Sequence, residues 1–327
     1  MTDDQGDPRR TESLVSVVVP TYGRDTIQFQ DAIESVRDQT YGHIELVVVD
    51  DSSDDISSWL DSHDDWFTAV KRIRDRDHDG AAAARNTGIW NTRGEFIAFL
   101  DDDDRWHPEK IERQVATFRS AGEETGVVYT ALEYVREGEV LRRASATTSG
   151  DVTKRILMGT SLGTFSTLMI RSCLLPVAGF IDDRFPVLED REWCLRLSKH
   201  CQFEAIDDQL VRYRQGDHEQ LTDDFRALRD VAVPLFEQKH RPLAAAYGPA
   251  CERAFLASLY QTCVTSGLSS GLYGEARRFA LRSLAYDPTN RQTWMTLVAA
   301  LGGKYTYYPL RRARRTVHHL ANQFTSD

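Results

Sequence analysis

Cysteine is scarce and unpatterned in this chain. Cys173, Cys194, Cys201, Cys251 and Cys263 form no CxxC pair and no Cys/His spacing of the kind that holds zinc. Their odd number and their apolar or helical neighbours exclude a disulfide framework and imply buried free thiols in a reducing compartment. Long apolar runs are missing as well. None approaches the roughly 18 residues of a membrane-spanning helix, and residues 1–12 are polar without the apolar centre of a signal peptide. Those twelve residues read as a disordered tail, and the expected location is the cytoplasm. Positive charge is short too: a net charge of −10 argues against general affinity for nucleic acid. Lysine occurs only at positions 71, 110, 154, 199, 239 and 304, so most of the 40 basic residues are arginine. Few lysines and recurrent Asp-Asp pairs resemble the composition of proteins from salt-loving microbes, which implies loss of structure in low salt. A glycine-rich phosphate loop after the first strand is also absent, which weakens the case for a sugar-phosphate nucleotidyltransferase.

What is present is ample for a globular enzyme. Hydrophobic residues make up 41% of 327, enough for a catalytic domain of about 200 to 250 residues plus a smaller appendage. The most informative stretch is 94–108. Residues 96–100 (Phe-Ile-Ala-Phe-Leu) have the length and character of a strand buried on both faces. That strand runs straight into Asp101, Asp102, Asp103 and Asp104. Pro108 then stands where a helix would begin, and Ile111, Val115 and Phe118 keep helical spacing. Open α/β sheets place ligands at the carboxyl ends of such strands. Four adjacent carboxylates repel one another unless a cation is near, and a hard divalent ion is the natural one.

The preceding chain repeats the pattern. Residues 14–19 are a strand closed by Pro20, with the turn Pro20-Thr21-Tyr22-Gly23-Arg24 and a helix bearing Ile27, Ala32, Ile33 and Val36. Residues 44–49 form a second strand ending at Asp50 and Asp51, and 66–73 a third. A small-residue helix at 81–91 carries Arg85, Asn86 and Gly88. Strand, turn and helix in short alternation predict a parallel sheet, with several polar turns at one edge.

These segments resemble the successive motifs of family 2 glycosyltransferases: residues 15–24, then 44–51, then Ala84-Arg85-Asn86-Thr87-Gly88, then 99–103. The likeness covers roughly 13–220 and implies the α/β GT-A fold, a Rossmann-like, mostly parallel central sheet, with inverting chemistry. It implies that Asp51 first, and Asp50 second, hold the nucleoside of a nucleotide-diphosphate sugar, with Pro20, Thr21 and Tyr22 lining the base pocket and Arg24 beside them. Arg85 would lie near the base or diphosphate, or else pair with the aspartates; Asn86 and Gly88 read as structural. The acidic DxD pair is open between Asp101/Asp103 and Asp102/Asp104. Alignment on Phe99 and Leu100 favours the former, with Asp103 as direct ligand of Mg²⁺ or Mn²⁺ and Asp101 or Asp102 on ribose or a metal-bound water. Asp104 reads as solvent-exposed or as a helix N-terminal acid.

Downstream, 127–132 reads as a strand, 136–155 as a mobile connection, and 163–171 as the family's acceptor-side strand. Glu189 and Asp190 before an amphipathic helix match the family's second hallmark. Asp190 is the candidate general base and Glu189 orients the site. Residues 211–218 resemble the closing strand and basic loop, in which Arg214 would hold the diphosphate and His218 could complete the metal shell. From 221 the pattern is helical, with one tetratricopeptide-like helix pair, too few for a solenoid. Residues 305–324 form a basic amphipathic helix suited either to an anionic membrane surface or to the protein's own acidic face. The reading is therefore a metal-dependent glycosyltransferase using a UDP-sugar by preference, with a glycan or polyprenyl- or dolichyl-linked acceptor. The competing reading is an inactive scaffold of the same fold.

Overall fold

The computed structural model describes residues 12–22, 26–50, 60, 62–74, 80–215 and 224–307. Its first half is built by the β-branched runs. Strands β1 (Val15–Thr21), β2 (Ile44–Asp50) and β4 (Phe96–Phe99) are buried at every residue, as expected of strands covered on both faces. With β3 (Ala69–Arg74) they lie parallel in the order β3-β2-β1-β4. Register sets Thr21 opposite Asp50 and Val18 opposite Phe99, so the polar turns leave the sheet nearly level. Helix α1 (Thr26–Arg37) follows β1, and helix α2 (Ala81–Trp90) precedes β4. A Cβ at Gly88 would stand 2.3 Å from Val18 Cγ1, so glycine there lets α2 sit directly on β1.

Beyond β4 the sheet becomes mixed. The short β5 (Arg105–Trp106) leads through helix α3 (Lys110–Ala121) to β6 (Thr125–Arg136) and β7 (Glu139–Ala144). Helix α4 (Thr153–Leu157), β8 (Leu168–Arg171), helix α5 (Leu175–Ala178), helix α6 (Glu189–Leu197) and β9 (Gln202–Arg214) complete this half. The order continues β4-β8-β6-β9-β5, with β7 on β6. β8 is antiparallel to both neighbours, and β6 runs parallel to β9.

Two segments differ from the sequence reading. Pro20 lies inside β1, paired with Val49, and does not close it. β4 reaches only Val18, so one side of β1 is open at Pro20 and its missing N–H costs no ladder bond. Residues 136–155 are ordered structure: Glu137 (φ 49°) and Gly138 (φ 83°) make a tight turn joining β6 to β7, and α4 follows. β7 is exposed on most residues, so no apolar alternation marks it as a strand.

The C-terminal part opens at Phe225–Ala227, passes through a π turn at Leu228–Ala232, and continues as α7 (Val233–Ala246), α8 (Pro249–Ser269), α9 (Tyr273–Tyr286) and α10 (Arg291–Leu301). The α9/α10 pair occupies the stretch whose sequence resembles a tetratricopeptide unit. One apolar cluster runs without a break from Ile97 and Phe99 of the sheet through Trp193 to Phe236, Phe255 and Phe279. The helices thus share the core of the sheet-bearing half. Most of the basic segment 305–324 lies outside the described residues. Among those described, no helix is long and apolar enough to cross a membrane. Cys194, Cys251 and Cys263 are buried, but Cys173 is exposed and Cys201 only partly covered, which corrects the expectation for those two.

Candidate active site

The acidic stretch forms a tight turn closed by Asp104 N–H donating to the Asp101 carbonyl at 3.0 Å. The turn separates its members. Asp101, Asp102 and Asp103 line a cleft of about 950 Å³, together with Pro20, Thr21 and Tyr22. Thr21 Oγ1 donates to Asp102 Oδ2 at 2.7 Å, tying the end of β1 to the turn. Asp104 faces away. It is fully buried and its Oδ1 accepts the Arg214 backbone N–H at 3.0 Å, while Oδ2 has no hydrogen-bond partner. Burial, and then the charges of Asp103 and Asp101, push its pKa well above the usual carboxylate range. Asp104 is therefore neither solvent-exposed nor a helix cap, and an Asp102/Asp104 pair does not face the cleft.

Arg85 is the hinge of the site. It lies on the buried face of α2, with its guanidinium 4.0 Å from the Phe165 ring centroid. Nη2 donates to Asp101 Oδ1 at 2.5 Å, and Nη1 reaches Glu189 Oε1 at 3.3 Å. Of the two roles open to it, the structure places it in the salt bridge. Nε is buried without a partner. Burial opposes its charge, but Asp101 and Glu189 more than offset this and raise its pKa.

Glu189 and Asp190 open α6 and line the same cleft. The residue before them, Leu188, holds φ 68°, a left-handed conformation uncommon for leucine that turns the chain abruptly into the helix. Asp190 Oδ1 accepts the Arg191 N–H at 2.6 Å. Burial raises both carboxyls, Glu189 to about 7 with the Asp190 charge adding and Arg85 opposing. Behind them Glu192 is fully buried and bonded to Arg196, Lys239 and His240. That network fixes α6 against α7. Arg191, half-buried, donates Nη2 to the carbonyls of Ile156 (3.0 Å) and Leu157 (3.4 Å) and to Ser258 Oγ of α8 (3.1 Å).

Other candidates fall elsewhere. Asp50 is buried at the end of β2. Arg214 directs its side chain to Asp31 of α1 at 3.1 Å and is not among the cleft-lining residues. Arg24, Asp51 and His218 lie outside the described residues. Asn86 exchanges two hydrogen bonds with the Ile181 backbone, a structural role. Sequence reading missed Tyr213 and Ser166. Tyr213 lines the cleft, and Ser166 Oγ accepts the Asp101 N–H at 3.1 Å. It also missed the hydroxyl residues of α8. Nothing in a helical stretch signals that one of its faces borders a cleft.

A parallel sheet extended by antiparallel strands, with acidic turns at its carboxyl edge, is the GT-A architecture. The solved structure of S. aureus TarS 1-349 in complex with UDP-GlcNAc superposes on it with a TM-score of 0.63, covering 95% of this chain and 92% of that one at 18% identity. At the sequence level, residues 16–173 match the Glycosyl transferase family 2 model. Among its relatives, TuaG of Bacillus subtilis (strain 168) is 38% identical over 31% of this chain and 40% of its own length. The UDP-Glc:alpha-D-GlcNAc-diphosphoundecaprenol beta-1,3-glucosyltransferase WfgD of Escherichia coli is 28% identical over 72% of this chain and 90% of its own. The chain spans 40%, 20% and 64% of the lengths of the first three relatives it matches.

Proposed function

We propose that the chain is an inverting glycosyltransferase that moves a sugar from a nucleoside-diphosphate donor, UDP-linked by preference, to a hydroxyl of a glycan or lipid-linked acceptor in surface-polysaccharide or protein-glycan synthesis. The observation that carries the reading is the Arg85 bridge. Through it the Asp101 turn and the Glu189/Asp190 turn, 88 positions apart at Asp101 and Glu189, face one cleft. A UDP-sugar fits the likeness to TarS crystallised with UDP-GlcNAc, and a lipid-linked acceptor fits the name of WfgD.

In this reading Asp190 takes the acceptor's proton. Its Oδ1 is occupied by the Arg191 N–H, which leaves Oδ2 for the acceptor hydroxyl. Its raised pKa makes it a stronger base than an exposed aspartate. Glu189, held by Arg85, orients the site, and Arg85 offsets part of the charge of the acidic groups.

Among the described residues no group of three or more His, Cys, Asp or Glu side chains is placed to hold a metal ion. Asp101, Asp102 and Asp103 on one cleft-lining turn suit Mg²⁺ or Mn²⁺ held by one or two carboxylates plus substrate phosphates. Asp103 is the proposed direct ligand. When bound, the ion would offset the negative charge of the departing diphosphate.

The test is a binding titration against UDP, GDP, dTDP and CMP with Mn²⁺. The expected result is selective, metal-dependent binding of UDP, lost in Asp103→Ala. A folded protein that binds none of the four would overturn the reading. Peripheral attachment to an anionic cytoplasmic membrane through 303–327 belongs to the same proposal. Vesicle flotation unchanged by deleting those residues would remove it.

A further inference from the structure

The cleft continues past the catalytic carboxylates onto the C-terminal helices. One wall there is the loop 159–164, and beside it stand Thr262, Thr265, Ser266 and Ser269 of α8. The two walls touch: a Cβ on Gly159 (φ +103°) would lie 2.8 Å from Ser258 Cβ. Positions 258, 262, 265, 266 and 269 fall on one face of the helix, and all five are Ser or Thr.

Most of these hydroxyl protons are committed. Thr262 donates to the Ser258 carbonyl (3.1 Å), Thr265 to that of Thr262 (2.9 Å) and Ser269 to that of Ser266 (2.8 Å). A hydroxyl that donates to its own helix offers lone pairs to the cleft. Ser266 is the exception. It lines the cleft, is only 8% exposed, and its Oγ has no hydrogen-bond partner. On the neighbouring loop Thr164 Oγ1 is likewise buried and unpaired. Orphaned buried hydroxyls are costly and mark the place of a missing partner. This section of wall carries no charged side chain from loop 159–164 or from residues 262–269. Arg191 also lines the cleft; its Nη2 donates to protein oxygens, and its Nε is buried without a partner.

We infer that α8 and loop 159–164 form an acceptor subsite for an uncharged, hydroxyl-bearing sugar, with Ser266 and Thr164 as its recognising groups. A row of acceptor lone pairs with two unpaired hydroxyls matches sugar O–H groups, whereas phosphate oxygens, which carry no donor, would face those lone pairs unpaired. The inference rests on the glycosyltransferase reading and deepens it: the C-terminal extension reads the acceptor.

The experiment uses the full chain with UDP and Mn²⁺ and follows ligand signals by saturation-transfer NMR. The probes are methyl β-glucoside, methyl β-N-acetylglucosaminide and glycerol 3-phosphate, and UDP binding is titrated separately. At least one methyl glycoside should bind and glycerol 3-phosphate should not. Ser266→Ala should weaken the glycoside about fivefold, as for one lost hydrogen bond, and Ser266→Leu, which fills the space, should abolish its binding. UDP affinity should stay within about twofold in the alanine variant, which adds no bulk and serves as the check on folding. UDP binding without glycoside binding, preference for glycerol 3-phosphate, or an unchanged glycoside affinity in Ser266→Ala would each overturn the subsite alone. Absence of UDP binding in the parent protein would overturn the donor reading and the subsite with it.

Discussion

Asp190 and Glu189 are neighbours in sequence with different proposed tasks, and burial raises the pKa of both. Replacing Asp190 by Asn keeps the shape and the Arg191 contact but removes the base. Transfer should fall by roughly 10²- to 10⁴-fold, with UDP affinity unchanged by calorimetry. The pH behaviour of Glu189 has two opposite signs. Its folded pKa of about 7 lies above the ordinary 4.5, so between those values the folded protein holds a proton that the unfolded chain has released. Stability should therefore fall as pH rises through that window and level off above it. Turnover, which needs the acidic pair ionised, should rise between about pH 6 and 8. Glu189→Gln should flatten the thermal-melting trend; a melting temperature as steep in that variant as in the parent would assign the proton elsewhere. Arg85, Asp101 and Glu189 were each visible as candidates in the sequence. Pairing of Arg85 with the aspartates was one of two open alternatives there; its bridge to Glu189 was not visible, because a partner 104 positions away depends on how α2 and α6 pack.

At the scale of elements, α2 is placed by a contact that only glycine allows. Gly88→Ala would push a methyl into Val18 and shift Arg85 with the helix. The expected cost is about 1–3 kcal/mol, read as a lower denaturant midpoint, with recovery in the Gly88→Ala/Val18→Ala double variant. Failure of that rescue would mean that the strain lies outside this pair. The buried parallel strands were legible because continuous Val/Ile/Leu runs state burial on both faces directly. The β6–β7 hairpin was not, since its second strand is exposed and highly charged. The path of β1 through Pro20 was hidden for a different reason: whether proline interrupts a strand depends on how far the neighbouring strand extends.

For the whole molecule, the shared core predicts that the catalytic half does not stand alone. Ending the chain at residue 220 would strip Trp193 and Leu195 of the apolar cluster that continues through Phe236 and Phe255. It would also remove Ser258, which accepts from the half-buried Arg191. The truncated protein should show no cooperative thermal transition and rapid proteolysis, while the full chain melts as one unit. A sharp independent melt of 1–220 would separate the extension from the fold.

The sequence by itself determined the strand–turn–helix order, the acidic turns at the strand ends and the two clusters of candidate carboxylates. These are local properties, written in runs of a few residues whose burial and turn chemistry do not depend on distant partners. Tertiary structure alone decided that three of four consecutive aspartates face the cleft while Asp104 turns away, that Arg85 joins the two acidic turns, and that a Ser/Thr face of α8 borders the cleft. Those outcomes depend on which helix face meets which strand end, and packing between residues far apart in the chain sets that geometry.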